Sequence, residues 1–137
     1  MNNLEVITIL NELIETCRDG QEGNRTAAEN IRNSEFRRLF NIFSQQRTQF
    51  VSELKAEVHR IGGEPQPERR APSRPARTPN DEGAIIAGRQ IGEESAVNTY
   101  REALKSDLPL DVQYVVKRQY MVIKDAYDRI RILQRAA

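Results

Sequence analysis

The side chains best suited to metal or nucleophilic chemistry are scarce in this sequence. Its 137 residues include one histidine, His59, and one cysteine, Cys17. A two-metal site inside a helical bundle needs a Glu from each of two helices and a Glu-x-x-His motif from each of the other two. His59 has Ala56 three residues before it, so the chain contains no Glu-x-x-His motif. We therefore expect no catalytic residue and no cofactor, with an adventitious iron or other divalent cation as the alternative.

The spacing of apolar residues predicts four long helices to position these side chains. Apolar residues recur at helical intervals over residues of about 3–31, 34–61, 83–105 and 110–135. Gly20 and Gly23 lie inside the first segment and predict a local kink or a close helix contact. Asn33 or Ser34 is suited to begin the second helix, and each short connection predicts an antiparallel hairpin.

Residues 63–82 have a different composition and form a predicted linker. Five of the six prolines lie there, together with four arginines. A Pro-rich segment is extended, so this one is long enough to run the length of a bundle. The sequence therefore predicts an all-α fold in a single domain over residues 1–137. This fold is a four-helix bundle in which a long Pro/Arg-rich crossover joins two antiparallel hairpins and leaves the second and third helices parallel.

Two charged residues occupy predicted inward positions at the middle of the bundle. Arg47 lies between Phe43 and Phe50 on the second helix, and Glu93 lies at the corresponding height on the third. An unpaired charge there would be costly. Our hypothesis is a polar core in which Arg47 pairs with Glu93, supported by hydrogen bonds from tyrosines; the alternative is that Arg47 reaches the bundle edge and Glu93 stays solvated. The tyrosines considered are Tyr100, Tyr120 and Tyr127.

Several short phrases resemble a known family. They include the runs 10–14 (Leu-Asn-Glu-Leu-Ile), 19–23 (Asp-Gly-Gln-Glu-Gly), 100–104 (Tyr-Arg-Glu-Ala-Leu) and 128–130 (Asp-Arg-Ile). This resemblance is to an uncharacterised bacterial four-helix-bundle family of the ferritin-like superfamily, a domain of unknown function, and it covers about residues 3–63 and 84–134. The chain departs from the family pattern at Asn24, where Tyr is expected, at Tyr127, where His is expected, and in its shorter linker.

The resemblance implies a ferritin-like bundle, and the missing ligands indicate that its metal site is degenerate. We expect a non-catalytic protein with a structural or protein-interaction role, which associates with itself as a dimer or higher oligomer or binds an unknown protein partner. The alternative is a ferritin-like metal-binding protein for iron storage or oxidation, with Glu22, Glu93 and Glu94 as weak ligand candidates. A second alternative is binding of an anionic partner by the basic linker residues Arg69, Arg70, Arg74 and Arg77.

Charge and composition limit the partners and the location. The 21 basic and 20 acidic residues leave a formal net charge of +1, so nucleic acid is not an expected partner. No apolar run reaches the length of a membrane-spanning helix, and one cysteine cannot form an internal disulfide. We expect a cytoplasmic protein.

A shift of 76 positions aligns the two predicted hairpins as a weak repeat, which places Asn24 opposite Tyr100.

Overall fold

The computed structural model describes residues 1–67 and 81–136, which contain four α-helices. The helices are α1 (Asn3–Asn30), α2 (Ser34–Arg60), α3 (Glu82–Lys105) and α4 (Leu110–Ala136). No strand occurs in these two ranges, so the predicted all-α fold is confirmed. The basic run Arg69, Arg70, Arg74 and Arg77 lies outside the described residues.

Side-chain caps define the start of three helices. Asn2 and Glu5 form a capping box at α1, in which the Asn2 side chain accepts from the Glu5 backbone and the Glu5 carboxylate accepts from the Asn2 backbone. The Asn33 side chain accepts from two backbone amides of α2, and the Asp81 carboxylate accepts from Ala84 at the start of α3. These acceptors satisfy amides that have no partner within a helix. Beyond α2, Gly62 has φ of +87°, a left-handed conformation that glycine adopts without strain.

The helices are arranged as two antiparallel hairpins that pack side by side. α1 packs against α2 and α3, and α4 packs against α3 and α2, so α2 and α3 are diagonal neighbours. The start of the linker runs back along α1: the Asn11 side chain bonds Glu64 and Gln66, and Arg18 donates to the Gln66 carbonyl. α2 and α3 begin at the same end of the bundle and are parallel, as the sequence predicts.

A polar layer divides the buried apolar residues into two clusters. One cluster surrounds Leu10, Leu54 and Val112, and the other surrounds Phe40 and Ile130. Between them, α1, α2 and α3 contribute buried polar or charged side chains. The two glycines Gly20 and Gly23 lie at this layer, and α1 is helical through both of them.

Candidate functional site

An ion pair crosses the middle of the bundle from α2 to α3. Arg47 and Glu93 are both fully buried, with no exposed side-chain surface. The Arg47 guanidinium contacts the carboxylate with both terminal nitrogens: Nη1 donates to Glu93 Oε1 at 3.0 Å, and Nη2 donates to Oε2. Two-pronged contacts of this kind are the strongest geometry available to an arginine and a carboxylate. The structure thus brings together the two residues of the pairing hypothesis, and Arg47 does not reach the bundle edge.

Two further side chains complete what we call the ion-pair cluster, which consists of Asn24, Arg47, Arg89 and Glu93. Arg89, one turn before Glu93 on α3, donates from Nη2 to Glu93 Oε1 at 2.7 Å. Asn24 on α1 donates to the same oxygen at 3.3 Å and to the Gly20 carbonyl at 2.8 Å, while its own oxygen accepts from Arg89 Nε. One carboxylate therefore receives hydrogen bonds from two guanidinium groups and one amide.

The electrostatics of the cluster keep its carboxylate ionised. Burial by itself favours the neutral acid, but the charges and hydrogen bonds of Arg47 and Arg89, together with Asn24, lower the pKa of Glu93 below its ordinary value. Burial likewise opposes the charge of Arg47, yet attraction to Glu93 leaves its pKa raised. Burial lowers the pKa of Arg89. With both arginines charged, the cluster carries two cations and one anion.

Glycines provide the space for these guanidinium groups. A Cβ added at Gly20 would lie 2.5 Å from Arg47 Nη1, and one at Gly23 would overlap Arg89 Nη1. Real Cβ atoms do not make such contacts, so a side chain at either position would require the guanidinium group to shift. This is the close approach that the sequence predicts as one of two explanations for the glycines of α1.

A second group of side chains, the hydrogen-bond chain, leads from the core toward the surface. Tyr100 donates to Gln119 Oε1 at 2.7 Å, and Gln119 Nε2 donates to Glu53 Oε1 at 2.9 Å. The Cys17 sulfur lies 3.0 Å from the Tyr100 oxygen. Because the tyrosine proton is used by Gln119, the thiol is the donor in that contact. Arg118 closes the chain at the surface, donating to Glu53 at 2.8 Å.

The thiol and the phenol of this chain are both held in their neutral forms. Burial raises the pKa of Cys17 to about 11. Burial also raises the pKa of Tyr100 well above its ordinary value. A thiol is a nucleophile only as the thiolate, so Cys17 is chemically inert in the folded protein.

The structure places both tyrosines of the predicted polar core away from the ion pair. Tyr127 does not belong to the polar core: it is half-buried and donates to Glu94 at 3.2 Å near the surface, with Lys124 and Arg131 over its ring. Tyr100 is buried as expected, but it bonds Cys17 and Gln119 rather than the ion pair. Tyr120 accepts from Arg101.

The three weak metal-ligand candidates do not converge. Glu93 is held inside by two arginines, Glu94 accepts from Tyr127, and Glu22 forms an exposed ion pair with Arg25. Within the described residues, no group of three or more His, Cys, Asp or Glu side chains is placed to hold a metal ion.

The residues at mid-bundle do not fit the iron pair associated with this type of fold. Cys17, Arg47, Glu93 and Ile123, the inward positions, supply one carboxylate, and guanidinium groups already occupy both of its oxygens. Hard cations need several oxygen ligands and are repelled by neighbouring cations. No step of metal chemistry can therefore be assigned to these side chains.

Access to the cluster is narrow. One cleft between α1 and α3 has a volume of about 100 Å³ and is lined by Thr16, Asp19, Arg89 and Ser95 among others. A second cleft of about 140 Å³ is lined by Gly23 and Arg89 among others. Pockets that bind drug-sized molecules have volumes of about 300 Å³ or more.

None of the described helices is long and apolar enough to span a membrane.

Sequence reasoning missed four polar residues of the site. Asn24 stands out only as a departure from the family pattern, and Arg89, Gln119 and Glu53 were not identified. Two of them had local signals. Arg89 precedes Glu93 by four residues, which places both on one face of a helix, and Gln119 interrupts an apolar stripe between Val116 and Ile123.

A comparison with solved structures defines the class of protein. The chain superposes with a TM-score of 0.83 on a two-domain protein from Anabaena variabilis that contains DJ-1/ThiJ/PfpI-like and ferritin-like domains. The sequences are 15% identical, and the alignment covers 99% of this chain but 37% of that one, so this chain spans little more than a third of its length. The fold is that of a ferritin-like four-helix bundle, as the resemblance implies.

The family assignment is more specific. Residues 5–106 match the family model described as domain of unknown function DUF2383. The chain belongs to this family. No curated protein matches it.

Proposed function

We propose that this protein is a non-catalytic ferritin-like bundle with a structural or protein-interaction role. The observation that supports it best is the state of Glu93, whose oxygens are held by Arg47, Arg89 and Asn24 inside the bundle. Ferritin-like metal sites use carboxylates at such positions to bind cations. Here the protein's own guanidinium groups neutralise the carboxylate, which gives the mid-bundle layer a packing role.

The charge of the cluster further supports this proposal. A divalent cation would have to displace two guanidinium groups from Glu93, and both would remain nearby because Arg47 is fully buried and Arg89 largely so. The resulting repulsion at low dielectric disfavours metal binding. A location in the cytoplasm belongs to the same proposal, since the single thiol, Cys17, is buried and reduced.

Metal analysis of the purified protein tests the proposal. We expect protein from iron-supplemented cells to contain well below one metal ion per chain, and we expect added Fe²⁺, Mn²⁺ or Zn²⁺ to leave the melting temperature unchanged, because a ligand that binds the folded state would raise it. Glu93→Gln serves as the matched variant and should have the same low metal content. A stoichiometric metal that is lost in Glu93→Gln, Glu94→Gln or Glu22→Gln would establish the ferritin-like metal-binding alternative instead.

The second alternative concerns the linker arginines. Arg69, Arg70, Arg74 and Arg77 together form a basic segment that suits phosphates or acidic groups, and this rests on the sequence alone. Deletion of residues 66–79 tests it: unchanged retention on anionic vesicles and on DNA would contradict a binding role, and a loss of retention would support one.

A further inference from the structure

α4 carries four exposed apolar side chains on its outer face, with Asp128 in the same row between Met121 and Ile132. Leu110, Tyr114, Met121 and Ile132 are 84%, 70%, 64% and 64% exposed. At 3.6 residues per turn, their spacing places all four within about 40° around the helix. The other large exposed apolar residues lie on the other three helices or at Met1 and do not form such a row. A single exposed apolar side chain is ordinary, whereas several that share one face mark a candidate interaction surface.

The two end residues of this set of four, hereafter the α4 stripe, are symmetric about Met121, whereas the position that matches Tyr114 is Asp128. Leu110 and Ile132 lie eleven residues before and after Met121. If a second α4 packs antiparallel with Met121 on the two-fold axis, Leu110 of each copy lies level with Ile132 of the other. Symmetric dimers use the same patch on both subunits, and this self-complementarity is what such a contact requires.

The charges beside the stripe match the same arrangement. In an antiparallel two-fold pair, each flank of the helix faces the same flank of the second copy. Arg118 and Asp125 share one flank, three residues before and four residues after Met121, so each Arg118 comes level with an Asp125 of the other copy. Arg118 already pairs with Glu53 and Asp125 with Arg129, all near the surface. The contact would therefore build an alternating row of four charges on this flank.

The opposite flank carries one net positive charge per copy, from Lys117, Lys124 and Asp128. Lys117 would face Lys124 and Asp128 of the second copy, which form an ion pair at 2.8 Å. The attraction between Lys117 and Asp128 of the second copy offsets only part of the repulsion, so this flank weakly opposes association. The direction and register are therefore set by the apolar stripe and the Arg118 flank together.

We infer that the partner of the α4 stripe is a second copy of this chain, packed antiparallel about Met121. This inference specifies the surface for the interaction role proposed above and rests on that proposal. It does not depend on the metal content of the bundle.

The first test measures the oligomeric state of the full-length chain. Sedimentation equilibrium should show a dimer with a dissociation constant below about 10 µM. Met121→Glu places two like charges on the axis and should raise that constant at least about tenfold. Ile91→Glu, at a residue 71% exposed on α3, is the control and should leave it unchanged. A wild-type chain that stays monomeric at about 100 µM, or equal dimerisation of both variants, would overturn the inference.

The second test determines the register. Arg118→Glu and Asp125→Arg should each weaken the dimer, and the double variant should recover it, because the exchanged charges again face each other. Met121→Cys should form a disulfide-linked dimer under mild oxidation, whereas Ile91→Cys should not. Failure of both the rescue and the cross-link would contradict the antiparallel register. A monomer that binds neutral lipid vesicles would assign the stripe to a membrane surface and reject the second copy. If the protein has a low metal content and is monomeric, this inference is rejected and the proposed non-catalytic function is retained.

Discussion

Arg47 and Glu93 show how an ionised pair can occupy a position that would otherwise hold a ligand set. Both side chains are fully buried, and the cost of removing two charges from water is offset by the bidentate contact and by the bonds from Arg89 and Asn24. The cluster is not fully satisfied, because Arg47 Nε is buried and has no hydrogen-bond partner among the described residues. Because Arg47 and Arg89 share one carboxylate, the stability of this layer depends on that single anion.

Loss of that anion should be the most damaging change in the cluster. Glu93→Gln leaves Arg47 and Arg89 buried side by side, and we expect it to lower the free energy of unfolding by about 3–5 kcal/mol. Arg47→Met should cost less, because Arg89 still neutralises Glu93. The double variant should be more stable than Glu93→Gln alone, since one of the two unpaired cations is gone. Urea unfolding followed by circular dichroism measures all three, and a double variant less stable than Glu93→Gln would contradict the proposed charge balance.

The acid dependence of stability should identify the same carboxylate. The pKa of Glu93 is lowered in the folded protein from an ordinary value of about 4.5. The stabilisation from its ionised form is therefore complete above about pH 4.5 and is lost as the pH falls through the lower, folded-state value.

The difference in unfolding free energy between wild type and Glu93→Gln should consequently be constant near neutral pH and shrink below about pH 4.5. Glu102→Gln, whose carboxylate is 73% exposed, should show little difference from wild type at any pH. A Glu93 difference that grows on acidification would show that the carboxylate is not held ionised.

At the level of helices, the charged cluster depends on how closely α1 approaches α2 and α3. Gly20 packs against the aliphatic stem and guanidinium of Arg47, whose position is fixed by Glu93. Gly88, on α3, has no atom within 4 Å of an added Cβ. The two glycines lie in the same kind of secondary structure but differ in what surrounds them.

This contrast makes a matched pair of substitutions. Gly20→Ala should destabilise the protein by about 1–3 kcal/mol, because the new Cβ displaces a guanidinium that cannot move freely. Gly88→Ala should stabilise it by about 0.5–1 kcal/mol through helix propensity. Thermal and urea unfolding of both variants check the prediction. Equal effects would show that the approach of α1 to Arg47 is not tight.

The helices themselves were predictable from sequence because their signals are local. Asn33 caps α2 as the sequence suggested, and the apolar spacing identified α1 to α4 with ends within a residue or so of those observed. It was harder to predict which polar side chains are paired inside the bundle and which are exposed at its surface. The positions of Arg47 and Glu93 along their helices identified them as partners. The sequence also assigned Tyr127 to the core. Tyr127 lies at the edge of the buried face of α4, so whether it is buried depends on how α4 is rotated against α3.

At the scale of the whole molecule, two polar contacts between α1 and α3 follow the weak internal repeat. A shift of 76 residues carries Cys17 to Glu93 and Asn24 to Tyr100. The structure contains the contacts Cys17–Tyr100 and Asn24–Glu93, and the shift exchanges one for the other. The two hairpins therefore meet through equivalent positions. The residue types differ at the equivalent positions, so the repeat is weak in the sequence although the two contacts are related by it.

The same contacts should make the bundle unfold as one unit. The ion pair joins α2 of one hairpin to α3 of the other, and opening either hairpin alone would separate Arg47 from Glu93 while the rest of the layer stays folded. We expect a single transition in urea. Helicity from circular dichroism reports on both hairpins, and reaction of the Cys17 thiol reports on the first, so the two signals should change at the same urea concentration. Reaction of Cys17 while much of the helicity remains would mean that the first hairpin opens independently, and that the polar layer does not couple the halves of the molecule.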